Sequence, residues 1–302
     1  MSLKKIIAIV GPTSSGKTGL SIKLTKKFNA EIISADSRQV YKGMDIGTGK
    51  ITKKETRGVP HHLLDVVSFK KIFTVIDYKK LAEKSLKKIF KKGKVPFIVG
   101  GTGFYIRALI DKTAIPEVKP DWKLRRKLGE ENTQSLFKRL EKIDPKRAKS
   151  IDEKNKRRII RALEIVIKTK KPVPKIRKKK PEFEVLVLGI KKPKNELYRL
   201  IEKRLLKRLK KGMLKEAKKL REKGLSYKRM KELGLEYRYM AYYLQGQISY
   251  NEMVEKLKKE IEHYAKRQMT WFRKDSRVIW IKDYKEAENL IKRFLSNKKP
   301  RN

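Results

Sequence analysis

Short strand-like runs alternate with amphipathic segments through the first third of the chain. Ile6–Val10 is a continuous apolar run rich in β-branched residues, and an amphipathic segment follows it as far as Phe28. Similar runs occur at Glu31–Ala35 and Pro96–Val99, and a helical pattern lies between them from Val75 to Phe90. Uninterrupted apolar runs are typical of strands buried on both faces, and their alternation with helices is typical of parallel sheets. The pattern predicts an α/β fold with a doubly wound parallel sheet.

The periodicity changes in the middle of the chain. Between Pro116 and Pro181 the sequence reads as charged amphipathic helices without strands. The strand pattern returns at Val185–Ile190. We therefore predict a P-loop-type core formed by residues 1–117 and 183–302, interrupted by an inserted all-helical domain at 118–182.

The remaining segments predict two helices and a last strand. A strongly basic stretch predicts a helix from Asn195 to Lys223. Ser249 is a favourable N-cap residue before a long amphipathic segment, which predicts a helix from Tyr250 to Arg273. Val278–Ile281 predicts the last strand.

The charge balance adds a class of partner to this picture. The 302 residues include 82 Lys and Arg against 33 Asp and Glu, which gives a formal net charge of +49. Such an excess suits a polyanion, whose condensed counterions are released on binding, and it indicates nucleic acid. A proteome that uses lysine freely on solvated surfaces is the alternative explanation, and we expect both causes to contribute.

Missing residue types exclude several chemistries. The chain has no cysteine, so disulfides, thiol nucleophiles and cysteine-ligated zinc are excluded, and its few histidines include His61 and His62, which we expect to be structural. No run approaches the ~20 apolar residues of a membrane span. The N-terminal residues pass directly into the first predicted strand and do not resemble a signal peptide. We expect a cytoplasmic monomer with no membrane association.

A phosphate-binding motif lies between the first predicted strand and the first helix. It matches the pattern Gly-x4-Gly-Lys-Ser/Thr in the context the motif requires, and its residues are Gly11, Pro12, Thr13, Ser14, Ser15, Gly16, Lys17 and Thr18. In such loops backbone N–H groups and the helix N-terminus face the anion, Lys17 neutralises phosphate oxygens, and Thr18 can bind Mg²⁺. By itself the loop indicates a nucleotide such as ATP. Because no Asn-Lys-x-Asp segment is present to read guanine, a GTPase is disfavoured and a small-molecule kinase stays open.

Polar residues also follow the other predicted strands. Gly11, Asp36 and Thr102 each stand just beyond a strand, and the carboxyl ends of parallel strands meet at one edge of a sheet. We therefore expect the three segments to converge on one crevice. Taken alone, Asp36 could equally hold magnesium, cap a helix or take part in catalysis.

Several motifs together resemble a single family. They are GPTSSGKT at 11–18, ISADSRQVYKGMDIGTGK at 33–50, VPHHLLD at 59–65, FIVGGTGFY at 97–105, RRIIRALE at 157–164, IEKR at 201–204, QGQISY at 245–250 and YAKRQMTWFR at 264–273. In order and spacing these segments resemble the tRNA dimethylallyltransferases, also called tRNA isopentenyltransferases. The resemblance covers nearly the whole chain.

The resemblance implies a prenyl transfer to tRNA. The dimethylallyl group of dimethylallyl diphosphate would move to N6 of adenosine 37, next to the anticodon in the anticodon stem-loop, giving N6-dimethylallyladenosine and diphosphate with Mg²⁺ as cofactor. The glycine loop would then hold a leaving diphosphate. A departing diphosphate leaves cationic character on the allylic carbon, and the weakly nucleophilic adenine amine needs a nearby base.

The resemblance also implies roles for individual residues. Asp36 matches the general base, Thr13 the residue that contacts the bridging oxygen, and Arg204 the arginine that clamps the diphosphate. The segments that match tRNA contacts are Asp36, Ser37, Arg38, Gln39, Thr102, Arg157, Arg158, Ile159, Ile160 and Arg161. The resemblance thus implies that the inserted domain at 118–182, which contains the last five of these residues, binds tRNA. The three arginines among 157–161 also fit a solvated helix face.

Some residues and functions stay open at this point. Leu233–Arg238 is two residues longer between its glycine and tyrosine than the family pattern, so its tRNA contacts are undefined. Tyr264, Met269, Trp271 and Phe272 are expected to pack in the core more readily than to stack on bases. The alternative functions are an adenylate isopentenyltransferase acting on a free nucleotide, a P-loop kinase of a small metabolite, and an RNA-binding P-loop ATP switch.

Overall fold

A parallel six-stranded sheet is the centre of the fold in the computed structural model, which describes residues 3–111, 116, 118–174 and 182–296. Its strands are β1 (Lys4–Val10), β2 (Ala30–Ser34), β3 (His61–His62), β4 (Val95–Gly100), β5 (Phe183–Ile190) and β6 (Val278–Ile281). They lie in the order β3-β2-β4-β1-β5-β6, and all five neighbouring pairs are parallel. The two-residue strand β3 was not predicted; it pairs with β2 through Ile32 and Ile33.

Fourteen helices occur in the described ranges. They are α1 (Lys17–Lys27), α2 (Lys53–Thr56), α3 (Val75–Lys91), α4 (Gly103–Ile110), α5 (Trp122–Glu130), α6 (Thr133–Ile143), α7 (Pro145–Ala148), α8 (Lys156–Thr169), α9 (Lys194–Lys210), α10 (Met213–Glu222), α11 (Tyr227–Leu233), α12 (Leu235–Leu244), α13 (Tyr250–Arg273) and α14 (Tyr284–Ser296).

Helices cover both faces of the sheet. Along β1, the side chains of Ile6, Ala8 and Val10 join a core shared with α3 and α4, whereas Ile7 and Ile9 join a core shared with α1 and α14. This alternation is the two-residue period of a strand with two buried faces. The prediction of an α/β fold with a doubly wound parallel sheet is confirmed.

A third core lies among helices α9 to α13. It contains apolar residues of α9, α10, α12 and α13 together with Val40, Tyr41 and Met44 from the segment after β2. The predicted single helix from Asn195 to Lys223 is wrong, because Gly212 adopts a left-handed φ of 95° and separates α9 from α10. The predicted helix from Tyr250 to Arg273 is confirmed, with Ser249 as the N-cap residue in a capping box.

The chain divides into two compact units. One contains Met1–Lys112 and Lys180–Asn302, and the other contains Thr113–Lys179. Within the second unit α5 to α8 pack around a small leucine-rich core, and the buried carboxylate of Glu164 accepts hydrogen bonds from Arg125 Nε at 2.9 Å and Nη2 at 2.7 Å. The predicted helical domain at 118–182 overlaps this unit, and its role in binding tRNA stays a prediction.

None of the helices in the described part of the chain is suited to crossing a membrane. Within those ranges no helix combines the length and the apolar composition that crossing a bilayer requires.

Candidate active site

The glycine loop joins the end of β1 to the start of α1. Gly16 is the N-cap residue of α1 at φ 92°, a left-handed conformation that glycine adopts without steric cost, and no side chain caps this helix. The first N–H groups of a helix have no intrahelical partner, so they remain available to an anion. The hydroxyl of Ser15 is buried and has no hydrogen-bond partner within the described residues. The loop therefore presents unsatisfied donors.

Two cations lie at this loop: Lys17, which belongs to it, and Arg204, which contacts it from α9. Arg204 on α9 donates from Nη1 to Thr13 Oγ1 at 3.2 Å and from Nη2 to the Gly49 carbonyl at 3.1 Å. Burial, and then the positive charge of Arg204, lower the pKa of Lys17 to about 7, although Asp36 acts in the opposite direction. Burial and nearby Arg208 lower the pKa of Arg204 as well. Burial is the larger cause of both shifts, and a neighbouring cation is the second, so a bound anion would stabilise the charged forms of Lys17 and Arg204.

The segment 45–49 packs against Arg204, and Gly49 and the carboxylate of Glu216 make this packing possible. A Cβ atom at Gly49 would collide with the Arg204 guanidinium, so only glycine permits this close approach. Glu216 on α10 accepts hydrogen bonds from the N–H groups of Asp45, Ile46 and Gly47, at 2.9, 2.7 and 2.8 Å. The segment 45–49, which contributes to the lining of the cavity, is therefore held in place through its backbone N–H groups.

Asp36 lies just beyond β2 with one oxygen engaged. Its Oδ1 accepts hydrogen bonds from the N–H groups of Arg38 at 2.8 Å and Gln39 at 3.2 Å. The neighbouring Ser37 donates its N–H to Thr102 Oγ1 at 3.1 Å, which joins the ends of β2 and β4. In the described structure Oδ2 has no hydrogen-bond partner. Asp36 thus caps a turn with Oδ1, and its Oδ2 is available to a ligand.

Gln268 joins two of these segments, and no role for it was predicted from the sequence. Its Oε1 accepts the Thr13 N–H at 2.8 Å and its Nε2 donates to the Gly101 carbonyl at 3.0 Å. The side chain is buried on α13, so it fixes Thr13 relative to the end of β4. The motif YAKRQMTWFR contained this residue, but nothing in its local pattern distinguished it from other helical polar residues.

Tyr264 also belongs to the site and not to the core. It lines the cavity, in contrast to the expectation of core packing, which is confirmed for the buried Phe272. Burial and the charge of Asp36 raise the pKa of Tyr264, so its phenol stays neutral. Leu235 and Glu236 line the cavity too, which places part of the unusual Leu233–Arg238 segment at the site.

These groups open onto one cavity of about 630 Å³. Such a volume suits a small molecule together with a polar reacting group. The cations that line it are Lys17, Arg38, Lys50, Lys203, Arg204, Lys207, Arg208 and Lys211. Its apolar lining includes Ile46, Ile51, Leu200, Leu235 and Ile261. One chamber therefore combines a cationic end with apolar walls.

The structure brings together most of the predicted site residues. The cavity is lined by Thr13, Ser14, Ser15, Gly16, Lys17, Thr18, Asp36, Arg38, Gln39 and Arg204. Gly11 and Pro12 are buried at the base of the loop. Ser37 and Thr102 are bonded to each other beside Asp36. The three strand ends therefore lie together, as their common position at one edge of the sheet led us to expect.

The remaining predicted residues lie on α8 in the second unit. Arg157 and Arg158 are exposed, Ile160 is half-buried, and Ile159 is fully buried in the core of that unit. Arg161 pairs with Glu164 and donates to the Val118 carbonyl at 2.9 Å. The tRNA contacts of this helix stay a prediction, and Arg157 and Arg158 are the two exposed side chains among these five residues.

The donor set of the loop fits a magnesium ion bound mainly by phosphate. No cluster of three or more His, Cys, Asp or Glu suited to a metal occurs in the described residues. Mg²⁺ keeps several waters and is usually held by one or two protein oxygens plus substrate phosphates, so such a cluster is not required. Thr18 lines the cavity at the start of α1, and its hydroxyl is the protein oxygen that would hold the ion.

Comparison with known proteins gives one consistent family. The model of a family described as IPP transferase matches residues 39–275. Curated proteins named tRNA dimethylallyltransferase include one from Acetivibrio thermocellus, 42% identical over 96% of this chain and 96% of the relative. Another, from Carboxydothermus hydrogenoformans, is 41% identical over 94% of each chain.

Solved structures give the same result. The full-length tRNA isopentenylpyrophosphate transferase of Bacillus halodurans is 37% identical, with a TM-score of 0.73 over 97% of this chain and 96% of that chain. A eukaryotic dimethylallyltransferase acting on tRNA is 27% identical, with a TM-score of 0.82 over 99% of this chain and 81% of that chain. The predicted P-loop fold is confirmed by these neighbours. The chain belongs to the IPP transferase family.

Proposed function

We propose that this protein is a tRNA dimethylallyltransferase. It transfers the dimethylallyl group from dimethylallyl diphosphate to N6 of adenosine 37, next to the anticodon, and releases diphosphate. One observation carries the proposal: the cationic glycine loop, the clamp of Arg204 on Thr13 and the free oxygen of Asp36 all face one cavity with apolar walls. The relatives are named tRNA dimethylallyltransferase, which supports a dimethylallyl transfer to tRNA.

In the proposed reaction a carbon–oxygen bond breaks and a carbon–nitrogen bond forms. Lys17, Arg204 and the loop N–H groups stabilise the charge that develops on the departing diphosphate. Thr13, held by Arg204 and Gln268, is oriented towards the leaving oxygen. The N6 amine attacks the allylic carbon, and Asp36 accepts the proton that N6 loses.

A magnesium ion bound at Thr18 would add further positive charge to the leaving diphosphate. Thr13, Asp36 and Arg204 line one cavity of the chain, so the proposed reaction needs no residue from a second subunit, and we propose a monomer. A tRNA substrate favours the cytoplasm as the place of action.

The substrate is proposed to be the polymer and not a free nucleotide. An adenylate isopentenyltransferase would need the same diphosphate site but no long basic surface, whereas the net charge of this chain is +49. A kinase would use the loop for ATP and would need no apolar chamber for a prenyl group.

A direct assay separates these functions. The protein is incubated with dimethylallyl diphosphate, Mg²⁺ and either a tRNA anticodon stem-loop or AMP, and the products are analysed by mass spectrometry. We expect the RNA to gain one dimethylallyl group and AMP to remain unmodified. Modification of AMP alone would identify the adenylate enzyme, and ATP consumption without prenyl diphosphate would identify a kinase.

The lowered pKa of Lys17 predicts a pH-dependent affinity for diphosphate. At pH values below its pKa of about 7 the Lys17 ammonium is already charged in the free protein, so Lys17 makes no contribution to the pH dependence of diphosphate binding there. A bound anion favours the charged form and raises this pKa, so binding above pH 7 must take up a proton. Affinity should fall by up to about tenfold per pH unit until the pKa of the complex is passed.

Calorimetry with inorganic diphosphate would measure this effect. The Lys17→Arg variant is the control, because its guanidinium stays charged throughout the range. The ratio of the two affinities cancels the ionisation of the ligand itself. The same pH dependence in both proteins would contradict the assignment to Lys17.

A further inference from the structure

A second cavity, of about 540 Å³, adjoins the candidate active site. The two cavities share Asp45, Ile46 and Lys211 in their linings. The second has an apolar floor that includes Phe69 and Leu220. Its lining also contains five lysines, and we call it the lysine cavity after them: Lys42, Lys211, Lys215, Lys219 and Lys223.

The two acids that line the lysine cavity, Asp45 and Glu216, are outnumbered by these lysines and form no ion pair with them in the described residues. Asp45 forms an ion pair with Lys50, which lies outside this cavity, at 2.6 Å. The carboxylate of Glu216 accepts three backbone N–H groups and the hydroxyl of Tyr237, the last at 2.8 Å. Across the described ranges, none of the five lysines forms an ion pair. The cavity therefore carries concentrated positive charge, which focuses the local field and attracts anions.

The arrangement of the lysines favours an extended anion. Lys211, Lys215, Lys219 and Lys223 recur every four residues along α10 and its two flanks. Positions four apart lie on the same face of a helix, one turn from each other, so Lys215 to Lys223 covers roughly 12 Å. A row of this length can contact several successive phosphates of a chain, whereas a single phosphate group would contact only part of it.

We propose that the lysine cavity binds the phosphate backbone of the RNA beside the nucleotide that reacts in the active-site cavity. The lining shared by the two cavities makes a continuous basic path, to which α9 contributes Lys203 and Lys207 on the side of the active-site cavity. This inference rests on the proposed function for the identity of the polyanion. The lysine cavity is then an RNA-binding surface in the unit that contains the active-site cavity, separate from the arginines of α8 in the other unit.

The test is a charge-matched comparison of two triple variants. Lys215→Glu/Lys219→Glu/Lys223→Glu changes the lysine cavity. Lys84→Glu/Lys87→Glu/Lys88→Glu makes the same change in net charge on α3, at exposed lysines that line neither cavity. Fluorescence anisotropy with a tRNA anticodon stem-loop and with full tRNA gives each affinity over a range of salt concentrations. Affinity for inorganic diphosphate and the melting temperature report an intact fold.

We expect the lysine-cavity triple to bind tRNA at least about tenfold more weakly than the wild type. Its salt slope should be shallower by about one for each phosphate that the protein no longer neutralises. The α3 triple should stay within about twofold of the wild type, because nonspecific charge acts only through the screened long-range field. The milder Lys215→Gln/Lys219→Gln/Lys223→Gln variant should show a smaller loss, which guards against misfolding of the glutamate triple.

Equal losses in the two glutamate triples would overturn the proposal, because net charge alone would explain them. Unchanged binding in the lysine-cavity triple would also overturn it. If the wild-type protein left the RNA unprenylated while the triples still differed in RNA affinity, the proposed function would fail and the lysine cavity would stand as an RNA-binding surface.

Discussion

Replacement of Asp36 by Asn is expected to lower kcat for tRNA prenylation by about 10²- to 10⁴-fold, the usual contribution of a positioned general base. Asn is the sharper substitution because its amide oxygen can still accept the N–H groups of Arg38 and Gln39, so the turn is preserved. It lacks the second anionic oxygen that would take the proton from N6. Affinities for dimethylallyl diphosphate and for tRNA should therefore change little.

The matched control for this variant is Asp152→Asn. Asp152 is an exposed residue of the second unit whose Oδ1 accepts the Lys154 N–H at 3.1 Å, so it caps a turn in a similar way without lining the cavity. Steady-state rates and separate binding measurements on both variants would be compared. Wild-type turnover by Asp36→Asn would remove this residue from the role of base.

Arg204→Ala is expected to lower kcat/KM by at least about 10²- to 10³-fold, the effect of removing one donor to a developing oxyanion in other enzymes. The guanidinium supplies charge to the diphosphate site and also holds the hydroxyl of Thr13 and the carbonyl of Gly49. Arg204→Lys should recover only part of the loss, because one ammonium cannot reproduce the two-pronged contact. Weaker binding of inorganic diphosphate should accompany the lower rate.

Arg199→Ala provides the control on the same helix. Arg199 is exposed on α9 and does not line the active-site cavity. Thermal melting of all three variants would show whether α9 remains packed. If Arg204→Ala bound diphosphate and reacted as the wild type does, the clamp role would be wrong.

The strands and the glycine loop could be predicted because their signals are local. Ile6–Val10 is apolar throughout since both faces of β1 are buried, and Gly11–Thr18 combines residue types that a phosphate loop requires at fixed spacing. The start of α13 was predictable in the same way from Ser249, whose hydroxyl accepts the Glu252 N–H. Each of these features depends on neighbours within a few residues.

The errors arose where local signals were weak or misleading. The lysines around Gly212 favour helix, and a single glycine inside such a run is often tolerated, so the break between α9 and α10 was missed. Strand β3 is only two residues long, too short for any periodicity, and it exists because β2 offers it a parallel partner.

Burial periodicity and backbone chemistry were enough to establish the class of fold, the anion loop and the set of strand ends that meet at one edge of the sheet. The packing of distant helices was needed to establish how the site is held. Gln268 reaches Thr13 across 255 positions of sequence, and Glu216 reaches Asp45 across 171. Side chains acquire such partners only when remote segments come together, so the clamp on Thr13 and the unneutralised lysines beside the site become visible in three dimensions alone.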